Sequence, residues 1–142
     1  MLRVVVFVIL LLIGLMIMNY RDINVLVLAY LGDSIYEIFI REFLVRKGIM
    51  KVKDLQSEAV SYVSARAQSM FLHIMMDQKF LSSEELEIVY RARNHRGSSH
   101  PKNTDIVTYK YATGLEALIG FLYLNGDQGR IKEIMDFIMR GE

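Results

Sequence analysis

Two carboxylates stand inside two strongly apolar stretches of this chain. Asp33 lies in Leu28-Ala29-Tyr30-Leu31-Gly32-Asp33-Ser34-Ile35-Tyr36-Glu37, and Glu116 lies in Thr113-Gly114-Leu115-Glu116-Ala117-Leu118-Ile119-Gly120. From Asn24 to Ile40 the only other acid is Glu37, and there is no Lys or Arg; from Tyr111 to Gly129 there is again no basic residue. A carboxylate on a largely buried helix costs several kcal/mol unless it is paired, protonated or bound to a cation. A divalent cation held between the two stretches satisfies both acids at once. Carboxylate oxygens completed by water suit magnesium, with manganese as the alternative. Such a site activates water and steadies negative charge on phosphate. The competing reading is structural: Asp33 capping a neighbouring helix, Glu37 on plain surface, and Glu116 satisfied by Ser, Tyr or His side chains.

The glycines favour the metal reading. Gly32 adjoins Asp33, and Gly114 and Gly120 bracket Glu116. A glycine inside a helix costs about 1 kcal/mol relative to Ala, so glycines here imply close backbone approach, which brings the acids together. On a helix, Asp33 and Glu37 share a face. A second feature points to phosphate. Between Arg91 and Lys110 lie five basic residues, Arg91, Arg93, Arg96, Lys102 and Lys110, against Asp105 alone, a local net charge of +4. Asn94, Ser98, Ser99, Asn103 and Thr104 add neutral hydrogen-bonding groups. This composition fits phosphate and sugar contacts, which dominate recognition of double-stranded RNA; the plainer reading is a solvated loop. The three His are irregularly spaced and no Cys supports them, which argues against zinc.

The elements that must position these groups read as all-α. The chain has 142 residues, one Pro, no Cys and a formal net charge of +1. That length suits one domain with a core of its own. Lack of Cys excludes disulfides, thiol chemistry and Cys-ligated metal, and fits a reducing cytoplasm. Asn24 to Arg46 is apolar and long enough for a helix, with Gly48 as its stop. Asp54 is expected to cap a single helix from Leu55 to about Asp77, and Ser82 with Glu85 forms a capping box for a helix to about Arg93. Asn94 to Asn103 reads as a polar loop, after which Asn103 or Thr104 can cap a helical stretch whose apolar part, Tyr109 to Leu124, ends at Asn125-Gly126. An amphipathic helix follows from Gln128 to Met139, with Ile131, Ile134, Met135 and Ile138 on one face.

Val4 to Met18 is set apart as an apolar extension, residues 1–18, preceding a domain of residues 19–142. Its fifteen residues reach about 22 Å as a helix, short of the roughly 30 Å hydrocarbon core. It is a membrane anchor or an extension upstream of a natural start at Met18; membrane contact is expected only in the first case.

Taken together, these residues resemble the ribonuclease III catalytic domain. Leu31-Gly32-Asp33 with Glu37, and Leu115-Glu116-Ala117-Leu118-Ile119-Gly120, look like its two signature helices. Ala29 to Glu37, Arg91-Ala92-Arg93-Asn94, Pro101-Lys102-Asn103-Thr104-Asp105 and Tyr109-Lys110-Tyr111 are similar to the Mini-III branch, over roughly Asn24 to Met139. The resemblance implies an all-α, homodimeric, cytoplasmic endoribonuclease that cuts double-stranded RNA with magnesium and matures the large-subunit (23S) ribosomal RNA precursor. It implies that Asp33 and Glu116 hold metal, that Glu37 orients water beside them, and that Arg91, Arg93, Arg96, Lys102, Asn103 and Lys110 grip RNA. Mini-III enzymes lack a double-stranded-RNA-binding domain, so this grip falls to the catalytic domain. Two further acids of full-length ribonuclease III correspond to Ala29 and Thr113 here, which leaves the metal count open. The alternative is a non-catalytic RNA-binding module of ribosome assembly with the same fold.

Overall fold

The computed structural model describes residues 1–17, 19–97 and 100–140. Among the described residues seven α-helices follow one another: α1 (Leu2–Ile17), α2 (Val25–Arg46), α3 (Val52–Val63), α4 (Ala65–Asp77), α5 (Ser83–Asn94), α6 (Ile106–Leu124) and α7 (Gln128–Arg140), with a short 3-10 turn at Tyr20–Asp22. The fold is all-α, as the sequence implied. Asn24 caps α2, its side-chain oxygen accepting from the Leu26 amide at 2.8 Å. Gly48, at φ +86°, turns the chain beyond α2 in a conformation that L side chains rarely adopt. The expected capping box opens α5: the Ser82 hydroxyl accepts from the Glu85 amide, and the Glu85 carboxylate accepts from the Ser82 amide.

Two boundaries differ from the sequence reading. The expected single helix from Leu55 to Asp77 is two helices, and Asp54 lies inside the first turn of α3 rather than capping it. The break is at Ser64, extended at ψ 150°, which ends α3 and caps α4 by accepting from the Ala67 amide at 3.2 Å. A serine competes for backbone donors well enough to restart a helix without Gly or Pro. The cap of α6 is Asp105 rather than Asn103 or Thr104; its carboxylate accepts from the Thr108 amide and hydroxyl. An ionised cap at a helix N-terminus also complements the helix dipole.

α6 is the axis of the domain. It packs against α2, α4, α5 and α7, and Leu115, Ala117, Leu118 and Ile119 are fully buried on it. Each such Leu or Ile side chain contributes roughly 1.5–3 kcal/mol by leaving water. α2 crosses α6 with backbones nearly touching. A Cβ placed on Gly32 would stand 1.7 Å from the Glu116 carbonyl oxygen, and one on Gly120 would stand 2.0 Å from that of Leu28. Gly114 faces α5 instead, where a Cβ would lie 3.2 Å from the Val89 carbonyl oxygen. The predicted close approach therefore joins α2 to α6 at two glycines and α5 to α6 at the third.

Polar clasps hold the layers around this crossing. The Tyr36 hydroxyl, on a fully buried side chain, donates to the Tyr62 carbonyl at 2.7 Å and ties α3 to α2. Arg130 of α7 donates to both Glu85 oxygens and to the Phe80 carbonyl, and stacks 4.5 Å from the Phe80 ring. α1 buries none of its described side chains and lies outside the core. Among the described residues no helix is long and apolar enough to cross a membrane. Met18 falls outside the described residues.

Candidate active site

The α2–α6 crossing fixes the first carboxylate beside the second. Gly32 places the α2 backbone against Glu116, so Asp33, the next residue, comes to the edge of the same contact. Both acids line one cleft of about 340 Å³ with Leu26, Ala29, Tyr30, Gly97, Tyr109 and Thr113. The helices and the α5–α6 loop thus converge on the pair. Ala29 and Thr113, where the resemblance places acids in larger enzymes, face this cleft as well. Thr113 does not substitute for the missing acid: its hydroxyl donates to the Tyr109 carbonyl at 3.0 Å within the helix.

The two acids differ in burial. Glu116 is half-buried, whereas Asp33 has an exposed side chain, contrary to the expectation of a buried one. Its position beside a glycine at the open side of the crossing is the reason. Burial, then the charge of Asp33, pushes the Glu116 carboxyl up to about 8, and the side chain of Gln68 acts weakly in the opposite direction. Burial, then Glu37, raises Asp33 as well. Among the described residues no Lys or Arg is paired with either acid. At neutral pH the proton is therefore held largely on Glu116 beside Asp33, and a divalent cation bound between them would favour the ionised pair.

Glu37 is placed differently. Its carboxylate accepts from Arg41 at 2.7 Å, so α2 does supply a cationic partner, one turn beyond Glu37 and one residue beyond the segment that lacked one. It lines a separate apolar groove between α2 and α3, with Leu44, Val45, Leu55 and Val63. It reaches the acidic cleft through its charge on Asp33, not as part of the wall. Among the described residues no third His, Asp or Glu joins Asp33 and Glu116 closely enough to share an ion. Two carboxylates suffice for magnesium, which keeps most of its water and uses one or two protein carboxylates.

The basic span is divided between structural and open positions. Arg91 donates to the Ile23 carbonyl at 3.0 Å, fixing the entry to α2 against α5. Arg93 is exposed and its guanidinium lies 5.4 Å from the centre of the Tyr111 ring, which in turn packs on His73 at 4.4 Å. Arg96, Lys102 and Asn103 are exposed and Lys110 is half-buried. Gly97, the neighbour of Arg96, lines the acidic cleft, so the backbone of this loop reaches its edge. Ser98 and Ser99 lie outside the described residues.

The sequence reading missed Gln68. It is 1 % exposed, and its Nε2 is buried without completing a hydrogen bond. The signal was present: Gln68, Leu72 and Met75 follow helical spacing on the buried face of α4, and a glutamine in such a row demands a partner.

Comparison with known proteins places this arrangement in context. The ribonuclease III domain family matches residues 26–127. A Mini-ribonuclease 3 of Symbiobacterium thermophilum is 45% identical over 121 residues, 82% of this chain and 92% of the relative. That of Brevibacillus brevis is 47% identical over 112 residues, 79% of this chain and 82% of the relative. Among solved structures, the X-ray structure of a Fusobacterium nucleatum protein superimposes with a TM-score of 0.76 at 33% identity, covering 85% of this chain and 95% of that one.

Proposed function

The chain belongs to the ribonuclease III family and is an endoribonuclease, and we propose that Asp33 and Glu116 hold its divalent cation, magnesium or in its place manganese. The family acts on double-stranded RNA and is generally dependent on divalent metal. The observation that carries the assignment is the pair itself. Two acids from helices locked at Gly32 and Gly120 share one cleft, the charge of Asp33 raises Glu116, and among the described residues no cationic side chain pairs with either. A cation bound there lowers the pKa of water and neutralises charge at the scissile phosphate. The chain's own residues do the rest. The glycine crossing fixes the carboxylates, Tyr109 and Thr113 wall the cleft, and Arg41 holds Glu37 so that it acts on Asp33 by charge. Arg93, Arg96, Lys102, Asn103 and Lys110 grip the RNA backbone beside the cleft, with Arg91 bracing the segment that carries them.

One acidic pair cuts one strand, so cleavage of both strands calls for two protomers related by symmetry. Of the apolar residues Tyr30, Ile35, Phe39 and Phe43 along α2, not all are free for such an interface. Ile35 belongs to the protomer's own core, and Phe43 packs edge-on against Tyr62. The surface that supports a homodimer is the α2 stripe of Val27, Tyr30, Ile38 and Val45, exposed by 57%, 83%, 65% and 60%. These four follow helical spacing along the whole of α2 and run past Asp33. The substrate we infer is the large-subunit ribosomal RNA precursor, processed in the cytoplasm. α1, apolar around its circumference, fits partial insertion into a bilayer face rather than any surface of the domain.

The test is cleavage of precursor RNA and of perfect duplex in magnesium, with end mapping, alongside sedimentation at micromolar concentration. Staggered cuts on both strands by a dimer, abolished by chelation, are expected. Chelator-resistant cutting, or cutting of both strands by a protein that stays monomeric, contradicts the proposal.

A further inference from the structure

Arg and Lys side chains carry hydrogen-bond donors and no acceptor. Those of Arg93, Arg96, Lys102 and Lys110 therefore match phosphate oxygens, which only accept. His73 of α4 adds a group of another kind beside them. Its side chain is exposed, and its ring packs on that of Tyr111 in α6, 4.4 Å between centres and tilted by 57°. The Arg93 guanidinium of α5 sits 5.4 Å from the centre of the same Tyr111 ring. One aromatic ring thus holds His73 beside Arg93 and joins α4 to the basic span.

The imidazole is oriented by its own helix. Its Nδ1 lies 2.7 Å from the Ser69 carbonyl oxygen and 3.5 Å from the Ser69 hydroxyl, and Ser69 is buried. A carbonyl oxygen only accepts, so Nδ1 carries the proton. In the neutral ring Nε2 is then an acceptor, and among the described residues no group donates to it. Covering Tyr111 needs only an aromatic ring, which Phe would supply; an acceptor held outward beside an arginine needs a donor. Phosphate oxygens offer none. The ribose 2′-hydroxyl is the donor on an RNA backbone, and DNA lacks it.

We propose that His73 Nε2 accepts a hydrogen bond from a ribose 2′-hydroxyl on the strand whose phosphates Arg93 grips, so that α4 reads RNA as distinct from DNA. The proposal rests on the reading of the basic span as an RNA grip and extends it to a third helix and to a contact that phosphate cannot make.

The experiment measures binding in calcium at about pH 8, where free histidine is neutral. Wild type and His73→Phe are each titrated with an RNA duplex and with the same duplex carrying 2′-fluoro riboses, which keep the A-form and lack the hydroxyl donor. The four affinities form a double-mutant cycle. His73→Phe should bind RNA about three- to ten-fold more weakly than wild type, the loss of one neutral hydrogen bond, and should bind the 2′-fluoro duplex as wild type does. An equal loss on both duplexes assigns the contact to phosphate, a base edge or shape and overturns the proposal, as does wild-type affinity for RNA. Wild type that binds neither duplex overturns the RNA grip itself, and the proposal with it. A second readout needs no variant. Long-range 15N–1H correlation of the wild-type imidazole should place the proton on Nδ1, and the Nε2 resonance should move with RNA and stay with the 2′-fluoro duplex. A proton on Nε2, or an Nε2 resonance unmoved at saturating RNA, overturns the proposal.

Discussion

Without divalent cations the protein should lose stability as the pH rises from about 5 to about 8, and Glu116→Gln should remove that loss. Glu116 ionises near its ordinary value of 4.5 in the unfolded chain and at about 8 in the folded one. A raised folded value means that the native state holds the proton more tightly. The associated stability is fully present below 4.5 and is lost as pH climbs through 8. At about 1.36 kcal/mol per pH unit, the full shift corresponds to roughly 5 kcal/mol, and solvent at a half-buried site reduces this to about 2–3 kcal/mol. In a domain of this size that is a change in melting temperature of about 5–10 °C. The assay is urea unfolding in chelator from pH 5 to pH 9. Glu85, like the exposed Asp105, acts in the opposite sense: burial raises it, but hydrogen bonds from Arg130 and Ser82 outweigh burial and lower it. Its contribution is lost only as pH falls through the acid range, which the window avoids. Wild type should weaken progressively, Glu116→Gln should stay nearly level, and Mg2+ should flatten the wild-type curve above pH 7. Parallel curves for the two proteins refute the reasoning.

Gly32→Ala and Gly120→Ala should each destabilise by more than about 3 kcal/mol or prevent folding, because the new methyl meets backbone at 1.7 Å and 2.0 Å and neither helix can yield; thermal unfolding reads this, and Gly129→Ala, which meets nothing, is the control. Arg130→Ala should cost about 3–5 kcal/mol in urea unfolding by leaving the Glu85 carboxylate buried and the Phe80 carbonyl unbonded. Changing Arg93, Arg96 and Lys102 together to Ala should weaken RNA binding in calcium and reduce the log–log salt slope by roughly 0.7–0.9 per lost phosphate contact; an unchanged slope places the grip elsewhere.

Helix identities were legible wherever local chemistry acts alone. Asn24, the Ser82–Glu85 box, Gly48 and Gly126 set their boundaries through backbone hydrogen bonds within one turn, so sequence spacing suffices. The break at Ser64 was not legible, because a serine inside an apolar period is as compatible with continuing a helix as with restarting one. The two acids and the glycine crossing were legible together: charge without a partner and glycine without a turn are both anomalies in an apolar helix. Their degree of burial was not. Whether Asp33 faces core or solvent depends on where α6 crosses α2, a tertiary fact. Glu37 shares a helical face with Asp33, yet Arg41, one residue beyond the stretch without Lys or Arg, claims it. Arg91 counted as one of five basic residues, and only the fold reveals that the Ile23 carbonyl takes its guanidinium.

Single-turnover cleavage of double-stranded RNA at saturating Mg2+ by Asp33→Asn and Glu116→Gln tests the central claim most directly, with circular dichroism confirming the fold and RNA binding in calcium confirming the grip. Both variants keep side-chain size and remove one ligand charge. Each should bind RNA within a few-fold of wild type and lose cleavage by orders of magnitude. Wild-type-like cleavage by either variant contradicts the assignment of the site.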